Sequence, residues 1–597
     1  MIVPARKRYK VVTEKNVPMT TRDGVTLYAD VIRPDSAERF PVLLSRTPYG
    51  KMAAGDPNGP NALYARYGYV SVVQDCRGRF ESEGDYDTIF QEAADGYDAV
   101  EWSARLPWSN GRVGTTGQSY LGLTQYLIAC NDPMPPSLQC MAPVSASSDY
   151  HASWIYHTGG VSKWGWMVPY ALFKGLDTLK RQGRKDLMEK MKGYVEGGEP
   201  AGARMTRWGS NAFTPLTDEW YRHLPIKDWG EILKEAAPYM AEHIAQADDG
   251  AYWQRANVNC FAETVTTPML HVTSWYDIFA EGGPTAYQSI SANSRFEAAR
   301  TGQRLIIGPW GHLLPYTSPT SRGAGDIDFG PNALIDLNET LLRWFDYWLK
   351  DVANGIMDEP PVSVFSLGEN RWQQLADWPP PAMRQVRYFL HSDGAANSLS
   401  GNGSLSSVPP GQEPADQYTY DPDDPVPSLG GNNLTIDMGV QDQRPVEERR
   451  DVLVYTSEPL SQPLEITGPV TVELWAASSA RDTDFTAKLV DVHPDGYAQN
   501  LLNGIIRARY RDSATTPQLM EAGKAYRFTI DLWATSNVFL PGHRIRLEIS
   551  SSHFPEFDRN LNTGQPFGEG TQGIAAEQTV FHQEDRASHI VLPLIPR

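Results

Sequence analysis

A chain of 597 residues with a formal net charge of −19 is too long for one hydrophobic core and too acidic to suit a polyanion such as nucleic acid. No apolar stretch reaches the roughly eighteen residues of a membrane helix, and no apolar h-region follows the basic N-terminus, so neither a membrane span nor a secretory signal is expected and the cytoplasm is the default. Cys76, Cys130, Cys140 and Cys260 have no metal-ligand spacing and read as reduced, mostly core residues.

Residues 1–145 alternate strand-like and helix-like runs. Val42–Ser45, Tyr69–Gln74 and Arg112–Thr115 are predicted strands, apolar on both faces as a helix-covered sheet requires, and Tyr97–Trp102 falls in a helix. Gly117-Gln118-Ser119-Tyr120-Leu121-Gly122 then places one serine between a strand and the helix Leu121–Ala129. Such a nucleophile elbow needs glycines because the turn leaves no room for side chains, although here the second glycine comes one residue later than in G-x-S-x-G. From 146 to 248 the texture changes to Trp, Met, Lys and Glu at helical spacing, which predicts an inserted helical cap. The α/β pattern resumes over 249–355, with strands at Met269–Thr273 and Arg304–Gly308 and an amphipathic helix over Asn338–Asp351. Beyond 356, turns punctuate alternating strands such as Val470–Trp475 and Arg544–Ile549, which predicts a C-terminal β jelly roll, with loops around 397–411 and 421–431 long enough to wrap over another domain.

A serine hydroxyl becomes a nucleophile when an imidazole removes its proton and a carboxylate fixes that imidazole. In an α/β-hydrolase sheet the order is Ser, acid, His, the last two in loops after strands. Asp277 follows the strand ending at Thr273, and His312 follows the strand ending at Gly308. Singly, Asp277 also suits a helix N-cap and His312 an ordinary loop, but their joint order behind Ser119 favours a triad. Asp75 is the rival acid; it precedes Ser119, and Asp75-Cys76-Arg77-Gly78 reads as a structural loop held by charge pairing, with Arg77 and Arg79 at hand. For the oxyanion, the backbone N–H of Tyr120 at the helix start is one expected donor. The loop Arg46–Lys51 lacks a glycine run, so the phenol of Tyr49 competes with simple packing as the second.

These blocks, with Gly308-Pro309-Trp310-Gly311-His312, Asp421–Gly431, Asp484–Leu489 and Ser536–Arg544, resemble the cocaine esterase family of serine hydrolases end to end. That family is related to α-amino acid ester hydrolases and Xaa-Pro dipeptidyl peptidases. The resemblance implies an α/β-hydrolase core with helical cap and jelly roll, Ser119 as nucleophile, His312 as base and acid, and Asp277 as its carboxylate. It also implies Tyr49 and Tyr120 as the oxyanion hole, and neither cofactor nor metal. Trp154, Trp166 and Phe279 look like the positions that hold an aromatic acyl group in cocaine esterase, whereas Ile278 and Phe279 stand where α-amino acid ester hydrolases bring carboxylates, leaving Glu281 or Asp149 as the remaining sources of charge. The expected partner is a small-molecule ester or amide, with neither nucleic acid nor membrane, for a monomer or homodimer. The alternatives are an amidase, acylase or Xaa-Pro-type peptidase using the same triad, and a carbohydrate-binding protein in which the triad is vestigial.

Overall fold

The computed structural model describes residues 6–52, 59–198, 204–206, 209–211, 213–312 and 322–597. Short gaps in the predicted cap and the residues just after His312 therefore lie outside the described residues. The core is a ten-stranded sheet. Its strands in chain order are β1 (Val11–Thr20), β2 (Thr26–Pro34), β3 (Phe40–Thr47), β4 (Val70–Asp75), β5 (Ser109–Gln118), β6 (Leu138–Val144), β7 (Leu270–Ser274), β8 (Arg304–Gly308), β9 (Val362–Ser366) and β10 (Arg371–Leu375). In space the order is β1-β2-β4-β3-β5-β6-β7-β8-β9-β10, with every pairing from β4 through to β9 parallel.

Every residue of β3, β4 and β7 is buried, which explains their unbroken apolar runs: helices cover both faces. The amphipathic stretch forms a helix over Leu337–Lys350, capped by Asp336, whose carboxylate accepts the Glu339 N–H at 2.9 Å. Leu341, Leu342, Trp344, Phe345 and Leu349 bury its inner face against Cys140, Val144 and Leu270.

Two features differ from expectation. The sheet is extended at one edge by β1 and β2, an antiparallel pair with no counterpart among the predicted strands. The predicted boundary at 355/356 falls inside the sheet, because β9 pairs parallel to β8 and β10 closes that edge antiparallel to β9. Residues beyond β10 form a twelve-stranded, almost wholly antiparallel domain. The segment 146–248 is mainly helical, led by Trp164–Arg181, but it also carries a small hairpin of Arg204–Thr206 with Gly209–Asn211. Among the described residues no helix is long and apolar enough to cross a membrane.

The turn at the end of β5 is tight. Ser119 has φ +62° and ψ −125°, and the next helix, α1 (Tyr120–Ala129), begins at once. A Cβ at Gly117 would lie 2.4 Å from the Leu121 Cβ, and one at Gly122 would lie 2.6 Å from the Ala146 Cβ and 2.9 Å from the Val144 carbonyl oxygen. The displaced second glycine is thus the point where the helix touches the end of β6. Gly122→Ala should lower stability by about 1–3 kcal/mol through overpacking, read as a fall in the urea midpoint at unchanged m-value; an unchanged midpoint would show that the helix has room to move.

Candidate active site

The strained backbone at Ser119 is held by its N–H, which donates to the Val144 carbonyl at 2.9 Å, while its own carbonyl accepts the N–H of Gly122 and of Leu123, each at 2.9 Å. A non-glycine residue at this φ lifts its side chain clear of both strand and helix. Gln118 anchors the opposite wall: its Nε2 donates to the backbone carbonyl of His312.

Asp277 and His312 arrive from the loops after β7 and β8. The His312 Nδ1 lies 3.1 Å from Asp277 Oδ1 and 3.2 Å from Oδ2. Asp277 is fully buried, and its Oδ1 also accepts the Phe279 N–H at 2.7 Å. Burial alone would push this carboxyl up. The charge of His312 and the hydrogen bonds from His312 and the Phe279 amide outweigh it, leaving Asp277 below its ordinary value.

Tyr49 lies on the loop after β3. Its hydroxyl hydrogen-bonds the Tyr170 hydroxyl at 2.9 Å and comes within interaction range of the Ser119 side chain. Burial raises its pKa far above the ordinary phenol value, so it stays a proton donor throughout the accessible pH range. The Tyr120 side chain points away into the core, where its hydroxyl donates to Glu92 Oε1 at 3.0 Å and accepts the Ile89 N–H at 3.2 Å. Only its backbone amide, one of the first N–H groups of α1, remains to face the site. Glu92 is ion-paired with buried Arg46, which ties the Tyr49 loop to the base of α1.

Trp154, Trp166 and Phe279 come together. Phe279 stacks on Trp154 at 4.3 Å between centroids, Trp166 meets both edge-on at 5.7 and 5.8 Å, and Phe279 packs edge-on against the His312 ring at 5.4 Å. The indole N–H groups of Trp154 and Trp166 are buried without a hydrogen-bond partner.

Asp75 is held in a structural loop, but its partner is Lys51 rather than the neighbouring arginines. The carboxylate accepts the Lys51 backbone N–H at 2.7 Å and its ammonium at 2.9 Å. Arg77 pairs with Asp23 and Asp95, while Arg79 donates to the Pro48 carbonyl at 3.0 Å and so braces the Tyr49 loop. Asp149 is engaged in local structure, accepting the His151 and Ala152 amides and the Asn257 side chain; burial raises it to about 6. One Glu281 carboxylate oxygen is buried without a partner, and burial raises that carboxyl well above its ordinary value.

Sequence reasoning passed over several supports. Tyr170 lies one helical turn after Trp166 on the helix 164–181, stacks on it at 4.3 Å and carries the hydrogen bond to Tyr49; the i, i+4 spacing was its signal. Asn432 directly follows the 421–431 loop, and its side-chain amide donates to the carbonyls of Trp275 and Asp277, both at 2.8 Å. Lys174 is buried against the rings of Tyr170 and Tyr120 at 4.4 and 5.0 Å, and burial lowers its pKa well below the ordinary lysine value. Lys163 donates to the carbonyls of Ser153 at 3.0 Å and Ile278 at 2.7 Å, joining cap to acid loop.

The strand order, the elbow and the chain's relatives define the class: a serine hydrolase of the α/β-hydrolase fold. A family model described as X-Pro dipeptidyl-peptidase (S15 family) matches residues 23–314, and one for the X-Pro dipeptidyl-peptidase C-terminal non-catalytic domain matches residues 354–591. The chain belongs to the cocaine esterase family: it is 38% identical over 604 residues to the cocaine esterase of Rhodococcus sp. (strain MB1 Bresler), covering 99% of each chain. Among solved structures it is similar to an α-amino acid ester hydrolase, with TM-score 0.78, 25% identity, and coverage of 100% of this chain and 98% of that one. An aminopeptidase from a marine sediment Thaumarchaeota archaeon shares the fold at TM-score 0.80 and 24% identity, with the same coverage.

Burial lowers the Lys163 amine to about 8, against the pull of Glu556, Glu281 and Asp277. The unfolded chain keeps that proton to about pH 10.4, so between these values the unfolded state binds more protons and stability rises with pH. Relative to Lys163→Met, the wild type should therefore gain up to about 3 kcal/mol between pH 8 and 10.5. A difference in unfolding free energy that stays flat across that window would mean the amine does not titrate there.

Proposed function

We propose that this protein is a carboxylic ester hydrolase that works through an acyl-enzyme on Ser119 and prefers a bulky or aromatic acyl group. The observations that support the reading are the Asp277–His312 pair, at 3.1 Å, the bond from Gln118 to the His312 carbonyl, and the strained elbow of the adjoining Ser119. Ser119 Oγ attacks the ester carbonyl carbon and its proton passes to Nε2 of His312, the ring nitrogen not turned to Asp277. The negative charge that builds on the carbonyl oxygen is met by the Tyr49 hydroxyl and the Tyr120 amide. As the tetrahedral intermediate collapses, His312 returns the proton to the departing alkoxide. Water then repeats the cycle on the acyl-enzyme, releasing a carboxylic acid and regenerating the serine.

Trp154, Trp166 and Phe279 support the acyl preference, since Phe279 packs beside His312 with the two indoles against it, apolar and aromatic surroundings that suit an aromatic acyl group. The C-terminal β domain is read as a jelly roll that braces this site, in keeping with its antiparallel pairing and the grip of Asn432 on the acid loop.

A fluorophosphonate probe should label Ser119 alone, and Ser119→Ala should abolish both labelling and ester turnover; turnover that survives in the variant would sink the mechanism. In the same assay Tyr49→Phe should lower kcat by about 10²–10³, and Tyr170→Phe, which removes only the partner of that phenol, by about tenfold at most.

Matched esters and anilides of acetic, butyric and benzoic acids separate the acyl preference from the ester preference. Benzoyl esters should show the highest kcat/KM, and Phe279→Ala should lower that value for benzoyl more than for acetyl substrates. Anilides hydrolysed as fast as esters would instead favour an amidase.

A further inference from the structure

Outside the candidate active site, two tight turns of the β domain converge. One, His493–Tyr497, joins the strands Asp484–Val492 and Ala498–Arg507, closed by the His493 N–H to Tyr497 carbonyl bond at 2.9 Å. The other, Leu540–His543, leads into the strand Arg544–Ser550 and is closed by the His543 N–H to Leu540 carbonyl bond at 3.0 Å. That strand and Ala498–Arg507 both flank Asp484–Val492, so His493, His543 and Asp491 meet at one end of three adjacent strands. A ligand-capable atom from each of the three lies within 4.8 Å of the others.

We propose that Asp491, His493 and His543 form a binding site for a divalent late transition ion of the zinc type. Two imidazoles and one carboxylate are the donor set that such ions select, whereas calcium and magnesium take oxygen. The His543 Nδ1 already lies 2.8 Å from Asp491 Oδ1. Two donors at about 2.0–2.2 Å from one tetrahedral ion are about 3.3–3.6 Å apart, so these atoms need part by only about half an ångström for the ion to replace the proton between them, and that proton leaves to solvent. The His493 ring stands 4.6 Å from the His543 ring, tilted by 37°.

Outer contacts of the kind that orient metal ligands are present. The Gln499 side-chain oxygen lies 3.2 Å from His493 Nε2, which leaves the other ring nitrogen for the ion, and the Asn537 amide donates to Asp491 Oδ2 at 3.4 Å. Asp491 and His543 are buried and His493 is half-buried, so the site is reached from the side of His493. Local sequence spacing hides it, because His543 lies on a different hairpin from Asp491 and His493. A bound ion would staple the two turns, and its effect is on the stability of the β domain rather than on ester chemistry.

Full-length protein freed of metal by chelator and dialysed against zinc should take up one equivalent, measured by titration calorimetry and elemental analysis. Its Tm should rise with the logarithm of free zinc. His493→Ala, a half-buried turn position, should fold with the metal-free Tm of the wild type and lose both the equivalent and the Tm response; Asp491→Asn, which keeps the shape of the side chain, should weaken binding at least tenfold. Cobalt in place of zinc should give visible absorption bands that vanish in His493→Ala. No zinc uptake by the wild type, or uptake unchanged in both variants, would overturn the site and leave Asp491 and His543 as a hydrogen-bonded pair only.

Discussion

One strained residue organises the molecule. Ser119 adopts a left-handed φ of +62°, a conformation that costs a serine of the order of 1–3 kcal/mol and persists only where the surroundings over-determine it. Here they do: the backbone is hydrogen-bonded on both sides, and the adjoining helix is pressed onto β5 and β6 where Gly117 and Gly122 leave no space for a Cβ. If the turn relaxed, the hydroxyl would sink towards the strand and the Tyr120 amide would swing away with the helix. The raised Ser119 hydroxyl and the position of the Tyr120 amide are thus products of a single geometric constraint.

Around that turn the same low-dielectric surroundings drive two acids in opposite directions. Asp277 is fully buried yet held below its ordinary pKa, because an imidazole and an amide meet its charge. Tyr49 is raised, because burial outweighs the hydrogen bonds from the Tyr170 and Ser119 hydroxyls, which pull the other way. The outcome is an anion beside His312 and a protonated phenol at Tyr49, set by whether charged and hydrogen-bonding partners outweigh burial. The edge of Phe279 packs against the His312 ring.

Much of this was legible in the sequence because it rests on local patterns. Fully buried parallel strands leave unbroken apolar runs, and an elbow needs small residues at fixed offsets. A histidine and an acid at strand ends in the right order also narrow the candidates to a few. What was not legible depends on contacts distant along the chain. β1 mixes Glu14, Lys15 and Asn16 into an edge strand whose alternation is broken by a register shift, so periodicity was a poor guide. The strands β9 and β10 are only five residues each and lie beyond 356, where the loss of helical pattern reads as the start of the β domain. Asp75 chose Lys51 over two arginines only a few positions away, because the fold places the lysine on the adjacent loop and turns the arginines towards Asp95 and Pro48. The roles of Lys163 and Asn432 are hydrogen bonds to backbone carbonyls of another segment, for which no spacing rule exists.

The β domain bears on the chemistry through those same long-range bonds. Asn432 holds the carbonyls of Trp275 and Asp277, so the carboxylate behind His312 is positioned from outside its own loop. The cap is held from the same side: a Cβ at Gly159 would lie 1.9 Å from the Ile505 carbonyl oxygen, one at Gly165 would lie 2.9 Å from that of Pro555, and the Ser162 N–H donates to Asp558 at 2.8 Å. Backbone-to-backbone contact of this kind leaves little freedom to slide. The stretch of cap that carries Trp154 and Trp166 is therefore a wall built jointly by two domains, and the ring Phe279 that completes the aromatic cluster comes from the acid loop that Asn432 fixes. The aromatic cluster and the orientation of the Asp277 carboxylate are coupled in one structure, which is why the β domain bears on the arrangement around His312.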